Sequence, residues 1–483
     1  MKNILFLFFF LPLLAPAQTI ENPGFERLDT ASASGFAGWQ SRRQYELAPD
    51  STTRKQGRYA LRMSSIDGKN FGSFMQEVSF PPTASLRKIR FSGRIKRENV
   101  DGFTGIWLEL YEGDKTVFFD NMYTSQLKGS VDWVAVDMEF FAGPKTTKAY
   151  LGGLLVGDGV VWFDDFSLTE IPLPTEPLPD SLRTYLLEAA DTLQRHALNR
   201  DSVDWPAVRE RMLQMSAGST SYADCYPALR YAIGQLGDHH SFLMPAEESQ
   251  KWAEPAGDDG RVKDFEPVTG QMLGDGIAYV SMPAFGAGDE QTCVAFAQQT
   301  QDLLRKLDRS RPRGWILDLR NNGGGNCWPM LAGIGPLLGE GVCGYFLAPG
   351  ESPASWFYQK GCAGIGTETI TRIERPVRLH KSMPRVAVLT GPRTGSSGEV
   401  VAVAFRQRPN TRSFGAPTAG LSTGNANYLL RDGAQIFLTG SVYADRTMAA
   451  YGKKLMPDEA VSGSDGGATD PVVEAAKKWL ALR

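Results

Sequence analysis

The chain has 483 residues, more than one hydrophobic core accommodates, so two or three domains are expected. Lys and Arg total 51 against 54 Asp and Glu, and 42% of residues are hydrophobic, the balance of an ordinary soluble globular protein with a net charge of -3. That charge offers no basic stripe for phosphate backbones, which excludes nucleic acid as a partner, and no later segment is apolar enough to predict a transmembrane helix.

The N-terminus, MKNILFLFFFLPLLAPAQ, places Lys2 before a short apolar run and ends in Ala15-Pro16-Ala17. This reads as a signal peptide over residues 1–17, with export to the periplasm or the extracellular space and a mature chain from Gln18. The five cysteines, Cys225, Cys293, Cys327, Cys343 and Cys362, contain no CxxC pair and no zinc-like spacing. In an exported protein they predict one disulfide, Cys327 with Cys343 or Cys362, and the sequence does not choose.

Residues 18–170 carry short alternating runs such as RKIRFSGRIK, GIWLELYEG and VDWVAVDMEFF between Gly, Asp and Asn turns, the pattern of an all-β sandwich. The opening ENPGFE with GFAGW, and the closing GVVWFDDFSL, resemble the first and last strands of jelly-roll domains of the carbohydrate-binding-module type. The resemblance implies a glycan partner for this domain and a structural calcium held by Glu26 and Asp165. Apolar alternation already accounts for Trp39, Trp107 and Trp162 as core residues.

IPLPTEPLPD, residues 171–180, has four prolines in ten residues and reads as a semi-rigid linker. Helical patterns then fill 181–250 as a small bundle, the last helix ending near Gly237 and delivering the turn Asp238-His239-His240-Ser241. From 251 to 483 strands alternate with helical patterns: GIAYVSMPAF, a long helix ending near Leu307, ILDLRNNGGGN, then VAVLTG with a helix after Ser396. A hairpin turning at Asp432-Gly433 closes the series. The predicted architecture is a layered α/β core with buried strands.

Within that core, VLTGPRTGSSGEVVAVAF sets two serines in a turn of small residues between an apolar run and a helix. Ser396 with Glu399 fits a helix-capping box, and equally a nucleophile at a helix N-terminus. A histidine base must come from four residues, His196, His239, His240 and His380. His196 falls on a helix face of alternating charge. His380 lies between Arg378 and Lys381 on a surface loop where nothing is expected to orient it. His239 and His240 follow a helix end and Asp238, and are the base candidates.

RNNGGGN puts bare backbone N–H groups at the carboxyl edge of a buried strand, where a developing oxyanion can be held. It lacks the GxGxxG spacing and a Gly-Lys-Ser/Thr, so it is no phosphate loop, and no metal or cofactor motif is present. All four histidines precede Ser396, which excludes the α/β-hydrolase order.

DLRNNGGGN, TGSSGE, FGAPTAGLSTGN and YGKKLMPDEAV together resemble the C-terminal-processing (tail-specific) serine peptidases, from about Leu182 onward. The resemblance implies a crotonase-like layered fold, a polypeptide substrate and Ser396 as nucleophile. The processing branch takes its base from a lysine in a GxPTxGK context, and here Leu421 stands in that place. The tricorn-core and retinoid-binding-protein-like branch uses an Asp-x-His-Ser turn, which maps the base to His240, with Asp238 supporting it. The oxyanion is then expected on the N–H groups of Ser397 and of Gly323 or Gly324, with Glu399 in support. Asp445 is the candidate for orienting His240, and Asp458 reads as a structural cap. The stretch between His240 and the GIAYV strand is too short for the PDZ module common in the family. The expected function is an exported serine endopeptidase; the alternative is a catalytically weak surface glycan- or peptide-binding protein.

Overall fold

The structure is a computed structural model describing residues 19–42, 45–65, 71–254, 262–462 and 470–482. The expected signal peptide lies outside the described residues. The chain divides into two compact units: residues up to Arg183 with Glu210–Gln235, and Thr184–Arg209 with Leu236 onward. The helices of 181–250 are thereby shared out, Tyr226–Gly234 going with the first unit and Ala246–Ala253 with the second.

In the first unit the long strand Arg87–Glu112 belongs to two layers at once. Its first half pairs with Leu127–Ala142 and Val160–Ile171, its second with Lys148–Val156 and Lys115–Asp120, all antiparallel. Strands Ala60–Ser64 and Glu46–Asp50 extend one layer, Phe71–Ser79 and Gln40–Arg42 the other. Alternate residues from both layers, Ile89, Phe91 and Ile95 on one and Ile106, Leu108 and Leu110 on the other, close a single core, which makes the unit a β-sandwich.

Three of its tryptophans are structural. Trp39, Trp107 and Trp162 are 1%, 4% and 6% exposed. Each indole N–H has an acceptor within the unit: Asn22 O at 3.0 Å, Phe74 O at 3.3 Å and Asp50 Oδ2 at 2.8 Å. The two carboxylates expected to hold calcium are engaged by N–H donors. Both Glu26 oxygens accept from Arg58 N at 2.9 Å, and Asp165 Oδ2 accepts from Gln56 Nε2 at 2.9 Å. Among the described residues no three His, Cys, Asp or Glu side chains are grouped to hold a metal.

The second unit is built in layers. Its central sheet runs Thr269–Leu273, Ile277–Ser281, Gly314–Asp318, Val386–Thr390, Thr411–Gly415, Glu459–Ala460, parallel throughout except for the first pair. Gly314–Asp318 and Val386–Thr390 are buried along their whole length, as strands covered on both faces must be. Helix Pro471–Ala481 packs on one face through Val472, Ala476 and Leu480. Helices Glu290–Asp308, Cys327–Leu338 and Ser397–Ala404 share the core of the other face with Cys343, Trp356, Tyr358 and Tyr443 of a second, antiparallel sheet. That sheet holds Phe242–Met244, Gln435–Ala444, Gly341–Leu347, Ala354–Gln359, Cys362–Ile365 and Glu368–Arg372, with Thr423–Leu429 on Gln435–Ala444. All five cysteines are free, four of them buried, so the predicted disulfide is not formed. Cys293, Cys327 and Cys343 lie in the core of the second unit.

Candidate active site

Strands Gly314–Asp318 and Val386–Thr390 end side by side, so the loops that follow them, 319–326 and 391–396, meet at the carboxyl edge of the sheet. Thr394 ties them together: its Oγ1 donates to Leu319 O at 2.8 Å and accepts from Gly391 N at 3.0 Å. Gly395 N donates to Asn322 O at 3.0 Å.

Ser396 occupies φ 48°, ψ -117°, the second position of a tight turn closed by Gly398 N donating to Gly395 O at 2.8 Å. These angles belong to a type II′ turn, where glycine is the favoured residue, and a serine held there stores about 1–3 kcal/mol of strain. An ordinary helix cap sits in the extended region instead. Glu399, fully buried, ties the turn to another segment: Oε2 accepts from Ser396 N at 3.0 Å, and Oε1 from Gly420 N at 3.2 Å and from the Thr418 hydroxyl. Burial pushes its carboxyl above the ordinary range, against these hydrogen bonds.

The histidine turn is built from its own sequence. Asp238 Oδ1 accepts from His240 N at 2.9 Å and Ser241 N at 2.7 Å, while Oδ2 accepts from Ser241 Oγ at 2.7 Å. Ser241 Oγ in turn accepts from Thr439 N at 2.9 Å, and Asn425 Nδ2 donates to His240 O at 2.9 Å, fixing the turn to the hairpin. His239, at φ 55°, absorbs the reversal.

These two turns put His240 Nε2 2.9 Å from Ser396 Oγ. The other ring nitrogen, Nδ1, lies 2.8 Å from Thr423 Oγ1. Burial pushes the imidazole below its ordinary 6.5, with the charge of Asp238 acting in the opposite sense.

Asp445, the expected orienting acid, is corrected here. Its Oδ1 accepts from Thr447 N, Thr447 Oγ1 and Ala449 N, and its Oδ2 from Tyr451 OH at 2.8 Å, so the carboxylate is consumed by its own loop. Asp458 braces a neighbouring strand through Ser413 N at 2.7 Å. His380 also differs from expectation, since Asp308 Oδ2 accepts from its N–H and faces Nδ1 at 2.7 Å. His196 stacks on Tyr428 with ring centroids 5.0 Å apart.

The glycine loop passes directly beneath the serine. Gly324 has φ 113°, and a Cβ there would fall 2.7 Å from that of Ser396, so only glycine fits. Its N–H donates to the buried Asn322 Oδ1 at 3.1 Å, whereas Gly323 is exposed. Ser397 turns its hydroxyl away to donate to Gly325 O at 2.6 Å, and its N–H stands at the first turn of the helix. Sequence reasoning missed Thr423, Asn425 and Asn322. All three lie inside stretches already quoted, Asn322 in DLRNNGGGN and Thr423 and Asn425 in FGAPTAGLSTGN, but nothing local sets them apart from their neighbours there.

A serine hydroxyl within hydrogen-bond reach of a half-buried imidazole, at a helix N-terminus, defines the class: a serine-type peptidase site on a layered α/β core. Residues 276–461 match the model of Peptidase family S41. The nisin-resistance protein of Lactococcus lactis subsp. lactis is 27% identical over 274 residues, 57% of this chain and 81% of that protein. In fold, a lipoprotein from Streptococcus agalactiae superposes with a TM-score of 0.50 at 24% identity, covering 64% of this chain and 99% of that one. The sandwich is similar to the xylan-binding CBM22-1 domain of Paenibacillus barcinonensis, with 14% identity, a TM-score of 0.22, and 31% of this chain and 91% of that one covered.

Proposed function

We propose that the chain is an exported serine endopeptidase that cleaves extended polypeptide through an acyl-enzyme on Ser396. The observation that carries this reading is the 2.9 Å approach of His240 Nε2 to Ser396 Oγ, with Leu421 at the place where a lysine base would stand. His240 Nε2 accepts the hydroxyl proton as Oγ bonds to the peptide carbonyl carbon. The same proton then passes to the leaving amine nitrogen as the C–N bond breaks, and a water repeats the sequence to release the acyl group. The oxyanion is assigned to the N–H groups of Ser397 and Gly323, since that of Gly324 is taken by Asn322. Export rests on the sequence of residues 1–17, and a glycan at the sandwich would use surface other than its three buried tryptophans.

A fluorophosphonate probe tests the reading on the full chain. Labelling that disappears in Ser396→Ala, with hydrolysis of a denatured protein disappearing alongside it, is the expected result. An unlabelled wild type that still binds polypeptide or glycan would favour the binding-protein alternative.

A further inference from the structure

We infer that Thr423 is the positioning residue of the site, its hydroxyl oxygen accepting the Nδ1 proton of His240 in the place where a carboxylate completes a serine triad. The inference rests on the peptidase reading above and adds to it the group that fixes the base.

For Nε2 to accept a proton from Ser396 it must be bare, so the neutral ring carries its hydrogen on Nδ1, and Thr423 Oγ1 at 2.8 Å is the acceptor that hydrogen meets. Thr423 is held for this task. It is 9% exposed, its branched side chain has few rotamers, and it opens the strand Thr423–Leu429. The residue before it is pinned: Ser422 Oγ donates to Lys453 O at 2.5 Å and accepts from Gly452 N at 2.9 Å. Two residues on, Asn425 holds the carbonyl of His240 itself. Ring and main chain of the base are thus gripped by one strand.

A hydroxyl selects the tautomer as a carboxylate does, but brings no charge to the imidazolium that forms during catalysis. The charged and titratable groups around the pair are few. Asp238 acts from the histidine's own turn, while Glu399 from the serine helix and Tyr443 from the antiparallel sheet face Ser396. Glu399 is committed to donors that include Ser396 N, Gly420 N and the Thr418 hydroxyl, and Asp445 to its own loop.

The test uses the full chain with three variants, following fluorophosphonate labelling of Ser396, hydrolysis of a quenched-fluorescent denatured protein across pH, and melting. Thr423→Val keeps the shape and removes the acceptor; kcat and the labelling rate should both fall on the order of 10²-fold, with KM and the melting curve little changed. Thr423→Ser should recover most of that loss. Thr423→Asp restores a carboxylate, stabilises the imidazolium, and should move the acid limb of the pH profile upward by about one unit or more. A Thr423→Val protein labelled at the wild-type rate with an unmoved acid limb would overturn the inference while leaving the peptidase reading intact. A wild type unlabelled at Ser396 overturns the reading itself. If Thr423→Asp does not fold, the Val and Ser variants decide alone.

Discussion

The serine turn and the histidine turn are made by the same device and supported unequally. In each, a backbone position with positive φ, Ser396 at 48° and His239 at 55°, sits within three residues of a carboxylate that collects main-chain N–H groups. Glu399 is fully buried and also anchors Thr418 and Gly420, so the serine is held by a network reaching another segment of the core. Asp238 is half-buried and satisfies only its own turn, leaving the hairpin contacts of Ser241 and Asn425 to fix its place. Strain is stored at the nucleophile itself but only next to the base. The nucleophile is thus fixed by the core, and the base by the hairpin it leans on.

The largest expected effect separates a reacting group from a cap. Ser396→Ala should lower turnover by several orders of magnitude while changing stability by about 1 kcal/mol or less, and His240→Ala should lose a similar factor. Ser396→Gly, equally inactive, should melt above Ser396→Ala, because glycine adopts the turn without strain. An Ala variant with wild-type turnover would reduce the serine turn to a cap and end the parallel between the two turns.

The unequal support predicts a second contrast, seen in thermal melting. In Glu399→Gln an amide N–H₂ must face groups that donate, which should cost about 1–3 kcal/mol and reduce turnover with it. Asp238→Asn can keep its oxygen on the two N–H groups and turn its amide toward Ser241 Oγ, so its loss should stay within about 1 kcal/mol. Equal losses would remove the distinction.

Ser397→Ala deletes the hydrogen bond to Gly325 O but retains the main-chain N–H, so it should cost about 1 kcal/mol of stability and leave turnover near wild type.

The smallest effect is read along the pH axis. Activity requires neutral His240, whose pKa burial lowers, so activity should fall on acidification through a single limb below 6.5. Asp238→Asn removes the charge that opposes this shift, and should carry the limb lower still by a fraction of a unit. A limb that moved upward in this variant would contradict the assignment of His240 as the base.

The sequence by itself determined the alternating pattern of the sandwich, the strand and helix texture of the core, and the two turns. The scarcity of histidines narrowed the base to His239 or His240, and the resemblance to the tail-specific peptidases, with Leu421 in place of the lysine, pointed to Ser396 and His240. These are local matters: the residues that shape each turn lie within four positions of one another, and hydrophobic period and turn chemistry act over that range. Tertiary structure alone decided what the reactive groups touch. Ser396 reaches His240 across 156 residues and His240 reaches Thr423 across 183, distances closed by the register of the sheets. At that range a hydroxyl and a carboxylate are equally plausible partners from composition, and only packing shows Asp445 folded onto its own loop and Thr423 at the ring. The same holds for Gly324, whose N–H was available on paper and is taken by the buried amide of Asn322 in the fold.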